Sequence, residues 1–309
     1  MNSGVARAER QEVPQEHHRE SRTLSAYGLI RWPGRVISVF RYEWYHSVQS
    51  VSSMIVSHAL IRALEQDALR RFVQEMVVHC QEFSPRLCKT VTVEELQAAV
   101  RQGLERAESH GFTQRGPTRL YLDLMIVLGG GFDTDPQFPW AQQILSSVAS
   151  QNQMQRADAL HARVGEYLAR IDGEYNSYTK TALRTLQRLC NQGLDFRDEQ
   201  LDLNLRLLME EVHPRKVAES GTPMVSRLIA ESRLKASERY QFRSARAMAL
   251  MAVLAFAFGH DFDSDPFLPW IARTLKRADA GNPDAAAVRL ESRARTWLDA
   301  VLQNWDGTN

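Results

Sequence analysis

Alternating β-branched runs bounded by hairpin turns are almost missing from these 309 residues, and that absence argues against a sheet protein. Cysteine is scarce as well. Cys80, Cys88 and Cys190 make an odd count, with neither C-x-x-C spacing nor histidine partners at zinc-site spacing. They read as ordinary thiols of a reducing compartment. Nor is there an excess of either charge: 38 Lys+Arg stand against 37 Asp+Glu, a net charge of +1, so no overall field exists to draw in nucleic acid or an anionic membrane. The longest apolar run, Ala247 to Gly259, is too short to cross a bilayer at about 1.5 Å per residue and reads as a buried helix. Neither a nucleic-acid partner nor membrane insertion is expected.

The beginning of the sequence carries Arg7, Glu9, Arg10, Glu12 and His17-His18 without an apolar core of signal-peptide length, so a cytoplasmic location is expected. Catalytic signatures are missing too. There is no Gly-x-Ser-x-Gly elbow, phosphate loop, His-Glu-x-x-His or Gly-x-Gly-x-x-Gly after a strand. Of the nine histidines, His58 and His79 lie near apolar helical faces, while His161 and His260 have no partner at a ligand spacing. No enzymatic activity, catalytic residue or cofactor is expected.

What the chain does have is a repeated phrase. Phe132-Asp-Thr-Asp-Pro-Gln-Phe-Pro-Trp140 returns 130 residues on as Phe262-Asp-Ser-Asp-Pro-Phe-Leu-Pro-Trp270. Around it the apolar positions keep step: Leu104 with Leu234, Phe112 with Phe242, Leu120 with Leu250, Leu124 with Leu254. Downstream, Leu145 aligns with Leu275, Leu160 with Leu290, Tyr167 with Trp297 and Leu168 with Leu298. The expected fold is all-α, two tandem duplicated multi-helix modules related by an internal repeat of about 130 residues. A hydrophobic share of 44% and a charged share of 24% suit a globular chain with two ordinary cores.

Residues 1–53 are expected to form a disordered or peripheral extension, with the aromatic stretch from Leu24 to Trp44 read as either a docking arm or two short extended segments. The first module is placed at 54–175 and the second at 176–309. Leu60, Leu64, Ala68, Phe72, Met76, Val77 and Cys80 recur at three and four residues and predict one buried helical face. Ser84-Pro85 ends that helix. Thr92 with Glu95 forms a capping box for the next, and Gly111 stops it. A third helix runs from about Pro117 to Gly129-Gly130-Gly131, a fourth carries Trp140, Ile144 and Val148, a fifth spans Ala157 to Ile171, and a sixth Tyr175 to Cys190. The second half repeats the plan, with Leu201, Leu205, Leu208 and Met209 before His213-Pro214 and helices at about 223–238, 243–258, 269–278 and 284–303.

Two readings of the repeated phrase compete. Asp133, Asp135, Asp263 and Asp265 are alternating oxygen ligands, as at the start of a calcium loop. Against that reading, Pro136 and Pro139 intervene before any turn glycine or closing bidentate glutamate, as do Pro266 and Pro269 in the second copy. The structural reading suits every residue. The aspartates accept backbone N–H bonds in turns, the prolines fix the bend, and Phe132 and Trp140, like Phe262 and Trp270, fold back onto the core. The phrase is therefore expected to clasp the helical repeat rather than to bind metal.

The wording Phe72, Met76-Val77-Val78-His79, Phe83-Ser84-Pro85, Gly103-Leu104, His110-Gly111-Phe112 and Phe132-Asp-Thr-Asp-Pro with Pro139-Trp140 resembles a family of helical accessory proteins encoded beside bacterial type VI secretion genes. In the second half Gly111 becomes Gln241, and the three glycines become Gly259-His260-Asp261. The resemblance implies a protein partner: an effector, or its VgrG or PAAR carrier. It implies an adaptor or co-chaperone role; the alternative is an immunity protein that binds and neutralises a cognate toxin.

Overall fold

The computed structural model describes residues 58–192, 196, 198–276 and 282–306. The expectations for residues 1–53, including the stretch from Leu24 to Trp44, lie outside the described residues. Among the described residues the chain is all helical, with no strand. Its helices are α1 (His58–Phe83), α2 (Pro85–Cys88), α3 (Val93–Ser109), α4 (Arg115–Leu128), α5 (Pro139–Ser146), α6 (Gln153–Ile171) and α7 (Ser177–Gln192). They continue as α8 (Leu201–Val212), α9 (Pro214–Ser220), α10 (Thr222–Glu238), α11 (Ala245–Phe258), α12 (Pro269–Lys276) and α13 (Asp284–Asp306).

Local chemistry sets the ends. Thr92 accepts from the Glu95 N–H at 3.2 Å while Glu95 returns the bond to the Thr92 N–H at 3.0 Å, so the capping box at α3 is complete. Asn152 and Gln155 make the same reciprocal pair at the start of α6. Proline opens α2, α5, α9 and α12, where its missing N–H costs nothing.

Two apolar clusters result. One gathers α1, α3, α4, α5 and α6 around Met76, Val100, Leu122, Phe132 and Leu160; the other gathers α8 to α13 around Leu205, Leu228, Met251, Phe262 and Leu290. Helix α7 packs on α8 and α13, and α6 packs on α9.

The helical plan recurs, but with a one-residue shift inside it. The buried set of α3, Leu96, Ala99, Val100, Gly103 and Ala107, returns in α10 as Val225, Leu228, Ile229, Ser232 and Ala236, a spacing of 129. Helices α4 and α11, each of 14 residues, and α5 and α12, each of 8, return at 130. Leu234 is therefore not the partner of Leu104: it lies 55% exposed on the outer face of α10. The extra residue sits in the α10–α11 turn, where Phe242 N–H reaches back to the Ala236 carbonyl and Phe112 N–H to that of Ala107. Both turns need a left-handed residue. Gly111 supplies it at φ +72°, and Gln241 takes it at φ +56°.

Two further expectations are corrected. Only the carboxyl-terminal half of α1 is buried. Leu60, Leu64 and Ala68 are exposed, because the first 14 residues of the helix run about 20 Å beyond the core at 1.5 Å per residue. Val148 is exposed as well, since α5 stops at Ser146 and the chain tightens into one turn of 3-10 helix over Ser147–Ala149.

A side chain with a Cβ in the left-handed region costs on the order of 1 kcal/mol relative to glycine. Gln241→Gly should therefore raise stability by about 1 kcal/mol in urea unfolding, and an unchanged or lowered midpoint would show that the turn is not strained.

Candidate functional site

Each copy of the repeated phrase is a rigid hook. Gly129 ends α4 at φ 103°, ψ 151° and Gly259 ends α11 at φ 97°, ψ 155°. From there Phe132 N–H bonds the Gly129 carbonyl and Phe262 N–H the Gly259 carbonyl, both at 3.1 Å. Asp135 then accepts from the Gln137 N–H and Asp265 from the Phe267 N–H, each through Oδ1 at 2.8 Å. These are turns closed by an aspartate side chain on the residue two further on.

The second carboxylate oxygen of each hook crosses to the other. Asp135 Oδ2 accepts from the His260 backbone N–H at 2.7 Å, and Asp265 Oδ2 from the Gly130 backbone N–H at 2.8 Å. The residue after each proline crosses too. Gln137 donates its side-chain amide to the Ala255 carbonyl at 3.2 Å, while Phe267 is fully buried in the cluster of the first half. Burying that ring contributes on the order of 2–3 kcal/mol. The two turns come so close that glycine is required. A Cβ on Gly129 would lie 2.3 Å from the Phe258 carbonyl oxygen, and one on Gly259 would lie 3.1 Å from that of Leu128.

The first aspartate of each phrase does a different task, tying the hook to its own half. Asp133 accepts from Arg106, from His110 Nε2 at 2.9 Å and from the Tyr121 hydroxyl at 2.7 Å. Burial opposes its charge, but His110, Tyr121 and the Arg106 guanidinium outweigh it and bring the carboxyl down to about 2. Asp263 accepts from Lys235 at 2.9 Å, Arg239 at 3.1 Å and the Tyr240 hydroxyl at 2.7 Å. Lys235 stands where Arg106 does at the spacing of 129. Met251 stands where Tyr121 does at 130, and Tyr240, in the lengthened turn, supplies the phenol that Met251 lacks.

A cavity of about 200 Å³ lies where the halves meet, bounded by the ends of α4 and α6 and by α7, α8, α9, α11 and α13. Its wall is mostly apolar, with Met125, Leu168, Leu186, Leu208, Leu254 and Phe267 among its side chains. A few polar groups interrupt it. Asp172 accepts from the Thr179 hydroxyl at 2.7 Å, and burial pushes its carboxyl up to about 6 against the pull of Thr179 and Lys216. Lys216 is only partly buried as a residue, but its ammonium turns inward to the Phe256 carbonyl at 2.5 Å and lies over the Phe256 ring. Burial brings that ammonium down to about 8, although Asp135 and Asp172 pull the other way. His213 accepts from the Lys216 N–H at 3.3 Å through Nδ1, and burial with the Lys216 charge lowers its ring to about 4. Burial pushes Asp265, which also lines the cavity, up to about 6.

All four phrase aspartates are buried, and Phe132 and Phe262 are core residues, Phe132 against Tyr121 at 4.9 Å between ring centres. Trp140 packs on Phe138 and Tyr167 with Arg163 over its face, and Trp270 packs on the second cluster. Pro139 and Pro269 open α5 and α12, while Pro136 and Pro266 follow the crossing aspartates in each bend. Among the described residues no group of three or more His, Cys, Asp or Glu is arranged to hold a metal. His79 is buried with Nε2 2.5 Å from Asp123 Oδ1, and His260 lies beside Asp135 and Asp261. Sequence spacing missed Asp172, Lys216 and Tyr167 as neighbours: Tyr167 and Asp172 belong to the end of α6, and Lys216 to α9. A lysine two residues after His213-Pro214 carries no pattern of its own.

Asp265→Ala would strand two buried N–H groups and Asp135→Ala one buried and one partly buried, at about 1–3 kcal/mol each. Each should lower unfolding free energy by about 3 kcal/mol in urea, and a loss under 1 kcal/mol would show that the exchange does not hold the halves. Because the folded Asp133 carboxyl lies below its ordinary value of 3.8, its contribution is present above pH 4 and lost as pH falls toward 2. The stability difference between wild type and Asp133→Asn should therefore shrink over that window. Comparison with family models, curated proteins and solved structures found no match to this chain.

Proposed function

We propose that this chain is a tandem duplication of one helical module, at 54–175 and 176–309, serving as a non-enzymatic scaffold that binds a protein partner. Support for the duplication comes from helices of equal length at a spacing of 130 and from the two hooks, which make the same turns and exchange the same bonds. Its docking surface is the projecting half of α1, and that observation carries the reading. Ile61 and Leu64 are 40% and 60% exposed and share a face with Ala68, about one to three turns before Phe72, the first residue of the helix packed on the core. Leu69, 52% exposed, flanks that face, and Arg62, Glu65, Asp67, Arg70 and Arg71 surround it. An apolar stripe with a charged rim on an exposed helix face suits helix-in-groove recognition.

The partner class comes from the resemblance to accessory proteins of type VI secretion: an effector, or its VgrG or PAAR carrier, with this chain as adaptor or co-chaperone. The test is co-purification with VgrG, PAAR and effector proteins of the same cell. Ile61→Glu with Leu64→Glu should weaken capture at least tenfold and leave the melting temperature within about 2 °C, since both side chains are exposed. Capture of none of these proteins, or capture indifferent to the double substitution, would overturn the assignment. Relief of a captured effector's toxicity without any secretion would move the reading to an immunity protein.

A further inference from the structure

The cavity between the halves has two features that a packing defect does not need. One is size. At about 200 Å³ it exceeds an engineered apolar cavity of roughly 150 Å³ that takes up benzene. The other is an orphaned donor. The Tyr167 side chain is 1% exposed and lines the cavity, yet its buried hydroxyl meets no hydrogen-bond partner. A buried polar group left unpaired is costly, and a ligand oxygen is what would satisfy it. Lys216 lines the same cavity, and its ammonium makes one hydrogen bond, to the Phe256 carbonyl, out of the three it can donate.

Two donors with an apolar chamber beside them call for an acceptor oxygen on an apolar body. The surrounding charge selects the kind of acceptor. Asp172 and Asp265 line the cavity together with Glu291 and Arg295, and Asp135 and Asp172 both act on Lys216, so its ammonium is already offset by two carboxyl groups. A second anion would be repelled there, whereas a neutral carbonyl adds no charge to a site of low dielectric. We propose that this cavity is a binding site for a small, neutral, apolar carbonyl compound of about ten heavy atoms, its oxygen held by Tyr167 and Lys216.

Three probes of matched size separate the possibilities: acetophenone, ethylbenzene without the acceptor, and benzoate with a charged one. In calorimetry and saturation-transfer NMR on the full chain, acetophenone should bind at least tenfold more tightly than either of the others. Tyr167→Phe should weaken acetophenone about fivefold to tenfold while leaving stability equal or higher, because it removes an unpaired hydroxyl. Lys216→Met should weaken it at least as much, and Ala182→Phe, which fills the chamber from α7, should abolish binding of acetophenone and ethylbenzene alike. Equal affinity for ethylbenzene, tighter binding of benzoate, no binding of acetophenone up to its solubility, or indifference to Ala182→Phe would each overturn the proposal. None of the cavity's lining residues lies on α1, so either assignment can fail without the other.

Discussion

The structure depends on an exchange of two carboxylate oxygens. Asp135 and Asp265 each spend one oxygen closing their own turn and the other on a backbone N–H of the opposite turn. Neither half alone could satisfy that second oxygen with the same geometry, nor the N–H groups of Gly130 and His260. The energetic unit is thus the pair of halves, not the half. Buried carboxylates are tolerable only when donors surround them, and here those donors are main-chain groups fixed by two helix ends. Close approach of the two turns is the condition for all of it, which is why α4 and α11 both end on glycine with the opposite carbonyl against it.

Around this joint each half holds its hook by the preceding aspartate, and the two solutions differ in residues while agreeing in chemistry. A cation and a phenol serve Asp133 as Arg106 and Tyr121; they serve Asp263 as Lys235, Arg239 and Tyr240. The one-residue lengthening of the α10–α11 turn is what brings Tyr240 to the carboxylate, at the cost of a left-handed glutamine. Local strain and a buried network are traded within a single turn. Further ties between the halves are ionic and lie nearer the surface, as where Arg163 and Arg170 meet Glu219 and Arg273 meets Glu95. The more exposed of these, Arg170 with Glu219 and Arg273 with Glu95, contribute little beside the buried exchange.

The same joint leaves space behind it. The hooks fix how near α4 and α11 can come, and α6, α7, α8, α9 and α13 close around the gap as an apolar chamber with Tyr167, Asp172 and Lys216 in its wall. Clasp and chamber share Asp265, so the group that binds the halves also sets the charge facing any occupant. The projecting half of α1 lies outside both, a separate surface with its own apolar stripe.

By itself the sequence determined the helical class, the bounds of α10 to α13 to within three residues though not the existence of α9, the capping box at Thr92 and the turn-forming character of the Asp-(Thr/Ser)-Asp-Pro phrases. All of these are local: periodicity, caps and prolines act within a few residues, so the chain displays them directly. It also displayed the recurrence of the Phe-Asp-(Thr/Ser)-Asp-Pro phrase, although a spacing of 130 carried through α10 mistook an outer leucine for an inner one; only burial reveals the shift to 129. Tertiary structure alone decided that Asp135 and Asp265 each reach across to a backbone N–H of the opposite turn, since a hydrogen bond spanning 125 or 135 residues leaves no local trace. It also decided that half of the stripe on α1 has no core to face, and that Tyr167, Asp172 and Lys216 share a chamber. Each of those outcomes follows from how distant helices pack, and no window along the chain contains that information.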